Sequence, residues 1–253
     1  MNAPSLPLTF GGRGALVTGA ASGIGAATAH LLVRAGIRTL ALDLKVPDPA
    51  DGDNDLLIEC AADVRDSHGL YDVVRHTFPD GNLNYVVNCA GVPAHTGFRG
   101  VGVDAWRTVL DVNLIGAYNV IDVTANLLGS SKTAAVVNIT SIEAARVIAL
   151  TNPDPNPHYA ASKAALAMLT RTAARALGPH TRVNSIAPGF VATPMASEHG
   201  DISTLPAQLA GRTVLRRWAH PEEIASAAAF LLSDQASFIT GAELVVDGGF
   251  AIT

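Results

Sequence analysis

Brief apolar runs, mostly β-branched, alternate along this chain with longer segments of helical periodicity. The runs are Ala15 to Thr18, Thr39 to Leu42, Leu56 to Cys60, Tyr85 to Cys89, Ala134 to Ile139, Val183 to Ile186 and Leu244 to Val246. They are continuous rather than alternating, which marks strands buried on both faces, the habit of parallel sheets. Helical patterns fill Ala26 to Ala35, Ser67 to Phe78, Asp104 to Leu128, Tyr159 to Leu177 and Pro221 to Ser233. Gly36, Gly129 and Gly178-Pro179 read as helix stops, glycine permitting a left-handed cap and proline barring continuation. Pro221 followed by Glu222 and Glu223 is the opposite signal, a start. The alternation predicts one α/β domain over residues 1–253, a Rossmann-type doubly wound parallel sheet of about seven strands.

Three stretches escape the pattern: Leu44 to Asp55, Ser141 to Pro157 and Pro188 to His220. Loops beyond strand C-termini are where such sheets bind ligands, so substrate loops are expected at about 141–158 and 190–215. The first stretch is short for a parallel crossover, and Pro47 and Pro49 leave little room for a helix there. An irregular connection is expected, with the adenine side of a bound nucleotide left open.

Composition narrows the class. Of 253 residues 49% are hydrophobic, only 15% are charged and 5% aromatic, which excludes a disordered chain. A net charge of −5 gives no footprint for nucleic acid or an anionic membrane. Cys60 and Cys89 lie far apart, lack metal or redox spacing, and are expected to be buried thiols; the eight histidines show no ligand spacing either. No metal is implied. Met1 to Arg13 has no basic region followed by a long apolar one, and no run is long enough to span a bilayer. A cytoplasmic protein is expected.

The strand ending at Thr18 runs into Gly19-Ala20-Ala21-Ser22-Gly23-Ile24-Gly25 and then a helix. Such a turn lets backbone N–H groups approach a pyrophosphate at the positive end of the helix. Asp43 closes the next strand, where a carboxylate accepts hydrogen bonds from the adenosine ribose. It would repel the 2′-phosphate of NADP(H), and neither Ala20 nor Leu44 is a cation that could bind it, although Lys45 stands nearby. NAD(H) is therefore expected over NADP(H). Asp63, after the third strand, would face the adenine edge.

From here the sequence resembles the short-chain dehydrogenase/reductase family over nearly its whole length. Thr18-Gly19 through Gly25 matches the family's nucleotide motif, and Asp63-Val64 its adenine-contact pair. Asn88-Cys89-Ala90-Gly91 is similar to its Asn-Asn-Ala-Gly motif, with Cys89 as a departure. Asn113, Ser141, Tyr159-Ala160-Ala161-Ser162-Lys163, the segment Pro188-Gly189-Phe190-Val191-Ala192-Thr193, and the tail from Thr240-Gly241 to Asp247-Gly248-Gly249 follow in order. The resemblance implies that Asn113, Ser141, Tyr159 and Lys163 are catalytic. It implies that Gly19, Ser22, Gly23, Ile24, Gly25, Asp43, Asp63, Val64, Asn88, Ala90, Gly91, Pro188, Gly189, Val191 and Thr193 bind the cofactor together with Tyr159 and Lys163. Lys163 would hold the nicotinamide ribose, and Asn113 would anchor a water that relays the proton.

Elementary chemistry agrees. Tyr159 and Lys163, four apart, share one helix face. A phenol of pKa about 10 becomes a base near pH 7 only if its anion gains about 4 kcal/mol, which an ammonium and a cationic nicotinamide could together supply. Ser141 would hydrogen-bond the substrate oxygen. The expected enzyme is an NAD-dependent dehydrogenase acting on CH–OH groups, interconverting a secondary alcohol and a ketone. The pocket is expected to be apolar, lined by Val92, Pro93, Ile142, Phe190 and Met195, under a lid from Met195 to Arg212. That favours a neutral substrate of alicyclic or steroid-like kind.

Two other readings compete. One is a biosynthetic 3-oxoacyl or polyketide-type ketoreductase using NADPH, which Asp43 opposes. The other is a non-catalytic nucleotide sensor or scaffold, which has no use for the four catalytic residues together. Ser141 and Tyr159 lie 18 apart, longer than the family's habit, and the excess is a Pro-rich insertion at Leu150 to His158. His95 and His158 are candidate pocket residues on position alone. Small and apolar residues on several faces of the Asp104 to Leu128 and Tyr159 to Leu177 helices predict cover by partner subunits, and the family resemblance implies a two-fold interface there and a homo-oligomer, a dimer or homotetramer.

Overall fold

The computed structural model describes residues 7–46, 55–94, 97–129, 133–148, 155–197 and 202–253. Seven strands form one parallel sheet: β1 (Gly14–Thr18), β2 (Arg38–Asp43), β3 (Leu57–Ala61), β4 (Tyr85–Asn88), β5 (Ala134–Ile139), β6 (Thr181–Pro188) and β7 (Glu243–Val246), in the order 3-2-1-4-5-6-7. Winding reverses between β1 and β4, so a crevice opens beyond their C-terminal ends. Side chains alternate across the sheet. Ala15 and Val17 enter one core with Leu32, Val87, Val137, Ile224 and Ala228, while Leu16 enters the other with Leu40, Leu70, Val86, Val120 and Val183. Both faces of β1, β4 and β5 are thus buried, which is why their sequences carry no polar alternation. The expected burial fails at the edges, where β3 is half-buried and β7 leaves Val245 exposed. Cys60 and Cys89 are each only partly buried as whole residues, with their side chains packed against the two cores.

Helices α1 (Gly23–Arg34) and α8 (Pro221–Leu232) cover one face; α2 (Ser67–Thr77), α4 (Ala117–Gly129) and α5 (Pro157–Leu177) cover the other. Between them come α3 (Val103–Leu110) and the short α6 (Pro194–Ser197) and α7 (Ala207–Ala210). Pro157 stands at the start of α5, and Pro221 opens α8 with Glu223 accepting from the His220 N–H at 2.8 Å. Of the expected left-handed caps only Gly36 is one (φ 78°); Gly178 is extended (φ −65°, ψ 151°), and Gly129 is the last residue of α4. Among the described residues no helix is long and apolar enough to cross a membrane.

The single helix expected over Asp104 to Leu128 is three pieces, because residues Asp111–Gly116 wind as a π-turn between α3 and α4. Such a turn carries one extra residue and is held by something outside the helix. Here Asn113 exchanges two bonds with the backbone of Val92, accepting its N–H at 2.8 Å and donating to its carbonyl at 3.1 Å. Gly116 lets the turn close on the sheet, since a Cβ there would stand 2.5 Å from Val64 Cγ2. Residues 47–54 of the irregular β2–β3 connection, residues 149–154 of the insertion, and His95 lie outside the described residues.

Candidate active site

The crevice is built first from backbone. A Cβ on Gly19 would lie 2.7 Å from the Ala90 nitrogen, and one on Gly25 2.1 Å from the Gly19 carbonyl. Only glycine lets this turn pack against the end of β4. Ser22 precedes α1 without capping it through its side chain, and in the first turn the Gly25 N–H faces the Cys89 thiol. Asp43, at the end of β2, accepts the Ala21 N–H at 3.0 Å and the Leu44 N–H at 2.7 Å, which ties its carboxylate to the glycine turn. The Pro188 to Thr193 segment closes over this turn from the far side. Gly189 donates to the Val246 carbonyl at 3.0 Å, Val191 is buried, and Thr193 Cγ2 sits 3.0 Å from where a Gly23 Cβ would be. Uncapped amides, glycines and a carboxylate at the second strand fit a dinucleotide.

Several of the residues expected to bind the cofactor also do structural work. The Asn88 amide is buried and donates to Asn138 Oδ1 at 2.8 Å, and Asn138 donates to Thr170 at 2.9 Å, stitching β4, β5 and α5 together. Asp63 is engaged by Arg65, whose Nη2 and Nε reach its oxygens at 2.6 and 3.0 Å; the guanidinium holds its carboxyl below the usual range. Val64 is buried, its side chain against Gly116. The Ala90 N–H donates to Thr18 Oγ1 at 3.1 Å. Cys89 lies beneath the turn, where burial pushes its thiol up to about 12.

The catalytic candidates converge beside this floor. Gly91 sits between Asn113 and Lys163: a Cβ on it would be 3.3 Å from Asn113 Oδ1 and 3.5 Å from Lys163 Nζ. The Asn113 side chain also donates to Ser162 Oγ at 3.1 Å, so β4, the π-turn and α5 are locked together. Lys163 donates to the Ile139 carbonyl at 2.9 Å, and burial lowers its ammonium to about 8. Its Nζ lies 5.7 Å from the centre of the Tyr159 ring. Burial raises the Tyr159 phenol, and Glu143 raises it further, against a hydrogen bond from Ser141 that pulls it down. With the protein's own groups alone, desolvation prevails and the phenol is protonated at neutral pH.

Ser141 leaves β5 and opens a short 3-10 turn (Ile142–Ala144); its Oγ accepts the Glu143 N–H at 3.1 Å. With Oγ accepting there, the hydroxyl still serves the side facing Tyr159, with which Ser141 shares a hydrogen bond. Thr140 points elsewhere, to Glu243 at 2.7 Å and the Ile186 carbonyl at 2.8 Å. Ile142 and Phe190, expected as pocket walls, are packed instead with Leu205, Leu209, Phe250 and Trp218 into a small core under the lid. His158, in the first turn of α5, is buried against Trp106 with ring centres 5.7 Å apart. Glu143 escaped the sequence reading. Its one signal is a charge set in the apolar stretch immediately after Ser141.

The model of the family described as Enoyl-(Acyl carrier protein) reductase matches residues 19–251. The cis-4-hydroxycyclohexanecarboxylate dehydrogenase of Sinomonas cyclohexanicum is 35% identical over 95% of this chain and 97% of its own. The chain belongs to the short-chain dehydrogenase/reductase family. Another member, the 3-oxoacyl-[acyl-carrier-protein] reductase FabG of Thermotoga maritima, is 32% identical over 95% of this chain and 98% of its own. In structure, the ligand-free aldohexose dehydrogenase of Thermoplasma acidophilum superposes with a TM-score of 0.85 at 29% identity, covering 96% of this chain and 95% of that one. As a short-chain dehydrogenase/reductase the protein is an oxidoreductase of alcohol- and ketone-type substrates, with a fold made for a nicotinamide cofactor.

Proposed function

We propose that the protein is an NAD(H)-dependent oxidoreductase interconverting a secondary alcohol and a ketone, with Tyr159 as general acid and base. The observation that carries this reading is the meeting of Tyr159, Lys163, Ser141 and Asn113 at the ends of β4 and β5, beside the glycine turn. The bound nicotinamide would accept or supply the hydride. Gly19, Ser22, Gly23, Ile24 and Gly25 would hold its pyrophosphate, Asp43 the adenosine ribose, Lys163 the nicotinamide ribose, and Gly189, Val191 and Thr193 the far side.

In the reducing direction Tyr159 starts correctly protonated and donates its phenol proton to the substrate oxygen. Ser141, its lone pair occupied by Glu143, donates a second hydrogen bond to that oxygen and fixes its position. In oxidation Tyr159 takes the hydroxyl proton, and desolvation then works against it. The cations near the phenolate must outweigh burial, and Lys163 is the chain's own contribution. Tyr159→Phe is expected to lower kcat by at least about a hundredfold while leaving NADH affinity unchanged, as read by steady-state kinetics and a fluorescence titration.

The reading as a 3-oxoacyl reductase draws on the FabG relative and on the description of the matching family model. Asp43 favours the NAD-dependent dehydrogenase, because a 2′-phosphate would meet a carboxylate already fixed by two backbone N–H groups. Titration with both cofactors separates the two. NADH is expected to bind at least about tenfold more tightly than NADPH, and Asp43→Ser to erase most of the difference.

A further inference from the structure

Among the described residues Glu143 is the carboxylate whose charge acts on Tyr159, and it lies two residues beyond Ser141. Its place is fixed at both ends. The Glu143 N–H is bonded to Ser141 Oγ, and the preceding Ile142 is buried in the core beneath the lid. Its side chain is partly buried, and among the described residues its carboxylate has no ion pair and accepts no hydrogen bond. Lys163 donates to the Ile139 carbonyl. A partly buried carboxylate without a protein donor gains the fold nothing, and here it stands beside a reacting phenol, open to a donor on a ligand. Leucine or glutamine at this position would serve packing as well.

The geometry points to Glu143 as a specificity-determining residue that accepts a hydrogen bond from a second donor on the substrate, carried within one or two carbons of the carbinol. The inference rests on the oxidoreductase reading and narrows it. Ser141 and Tyr159 would hold the reacting oxygen, and Glu143, attached to the same short turn, would read the group beside it. The chemistry on the substrate is a hydroxyl or an ammonium, so the natural class is a vicinal diol, a polyol or an amino alcohol rather than a simple secondary alcohol. An anionic group in that place would be repelled, which sets this pocket against substrates bearing a carboxylate next to the carbinol.

The test compares kcat/KM for cyclohexanol, 1,2-cyclohexanediol, 2-aminocyclohexanol and 2-hydroxycyclohexanecarboxylate with NAD, in the natural protein, Glu143→Leu and Glu143→Gln. The diol or the amino alcohol should exceed cyclohexanol by about tenfold or more, the worth of one hydrogen bond to a charged acceptor. In Glu143→Leu the ratio should fall close to one. Glu143→Gln separates the two donors: it should keep part of a preference for a hydroxyl and lose one for an ammonium. Equal ratios in the natural protein and Glu143→Leu would overturn the inference. If the natural protein oxidises none of these alcohols, it is the oxidoreductase reading that fails. The role of Glu143 is then read from calorimetric binding of the same four compounds to the natural protein and Glu143→Gln, where no advantage for the donor-bearing ligands refutes it.

Discussion

Tyr159 and Glu143 are both held out of water, and in both the neutral form gains. For Glu143 the consequence can be followed in stability. Burial raises its carboxyl from 4.5 to about 7. Between those values the folded protein keeps a proton that the unfolded chain has lost, so the unfolded state is favoured increasingly as pH rises. Below 4.5 the residue is neutral in both states, and above about 7 it is ionised in both. Glu143 therefore costs stability progressively from pH 4.5 to 7, and the cost persists above that window. Glu143→Gln should flatten the pH dependence of the thermal midpoint across this interval and stabilise the protein at pH 8, by up to about 3 kcal/mol. Melting curves from pH 4 to pH 8 for both proteins check this. A variant less stable at pH 8 would mean that the carboxylate has a partner after all. Nothing in the sequence around Ser141 announced the setting of Glu143, whose neighbour Ile142 packs with Leu205 and Leu209, more than sixty positions away.

At the scale of elements, the sheet was legible and the site's main distortion was not. Strands such as Val136 and Val137 on β5 send neighbouring side chains into different cores, and double-sided burial leaves an unbroken apolar run that sequence displays directly. The π-turn at Asp111–Gly116 has no such local cause. Its residues form an ordinary amphipathic stretch, and the distortion is imposed by Asn113 reaching the backbone of Val92, 21 positions earlier. The motif order located Asn113 in the site; it could not show that all its side-chain bonds are spent on Val92 and Ser162. Asn113→Leu would leave the Val92 N–H and carbonyl without their partner in a buried place. The expected loss is about 2–4 kcal/mol of unfolding free energy, measured by urea denaturation, with a fall in kcat beyond what the remaining folded fraction explains. The companion test at the same turn is Gly116, where a methyl group would press on Val64 Cγ2 at 2.5 Å.

Over the whole molecule, some of the apolar residues left uncovered lie on the helices expected for self-association and others lie near β7. Ile115 and Tyr118 beside the π-turn and Met168 on α5 are about half exposed, and Phe238 and Ile252 near β7 are almost wholly so. Large side chains of this kind on one protein are a mark of an interface. Sedimentation equilibrium at micromolar concentration should therefore find a dimer or a larger closed assembly. A stable monomer would return these residues to ordinary surface. Composition hinted at this through the scarcity of charge, but which faces stay open became visible only once α4 and α5 were seen side by side on the sheet.

Thr193 resting on Gly23 ties together two points 170 positions apart. Neither half of the chain owns the nucleotide crevice: the floor is laid by the early strands and the clasp by a segment that follows β6. No piece of this gene could be borrowed as a portable nucleotide-binding module, and a protein halted during synthesis before Thr193 would carry the glycine turn without the wall that encloses it. Substitutions in the short turn after β5 can therefore alter the surroundings of Ser141 without touching the contact between Thr193 and the glycine turn.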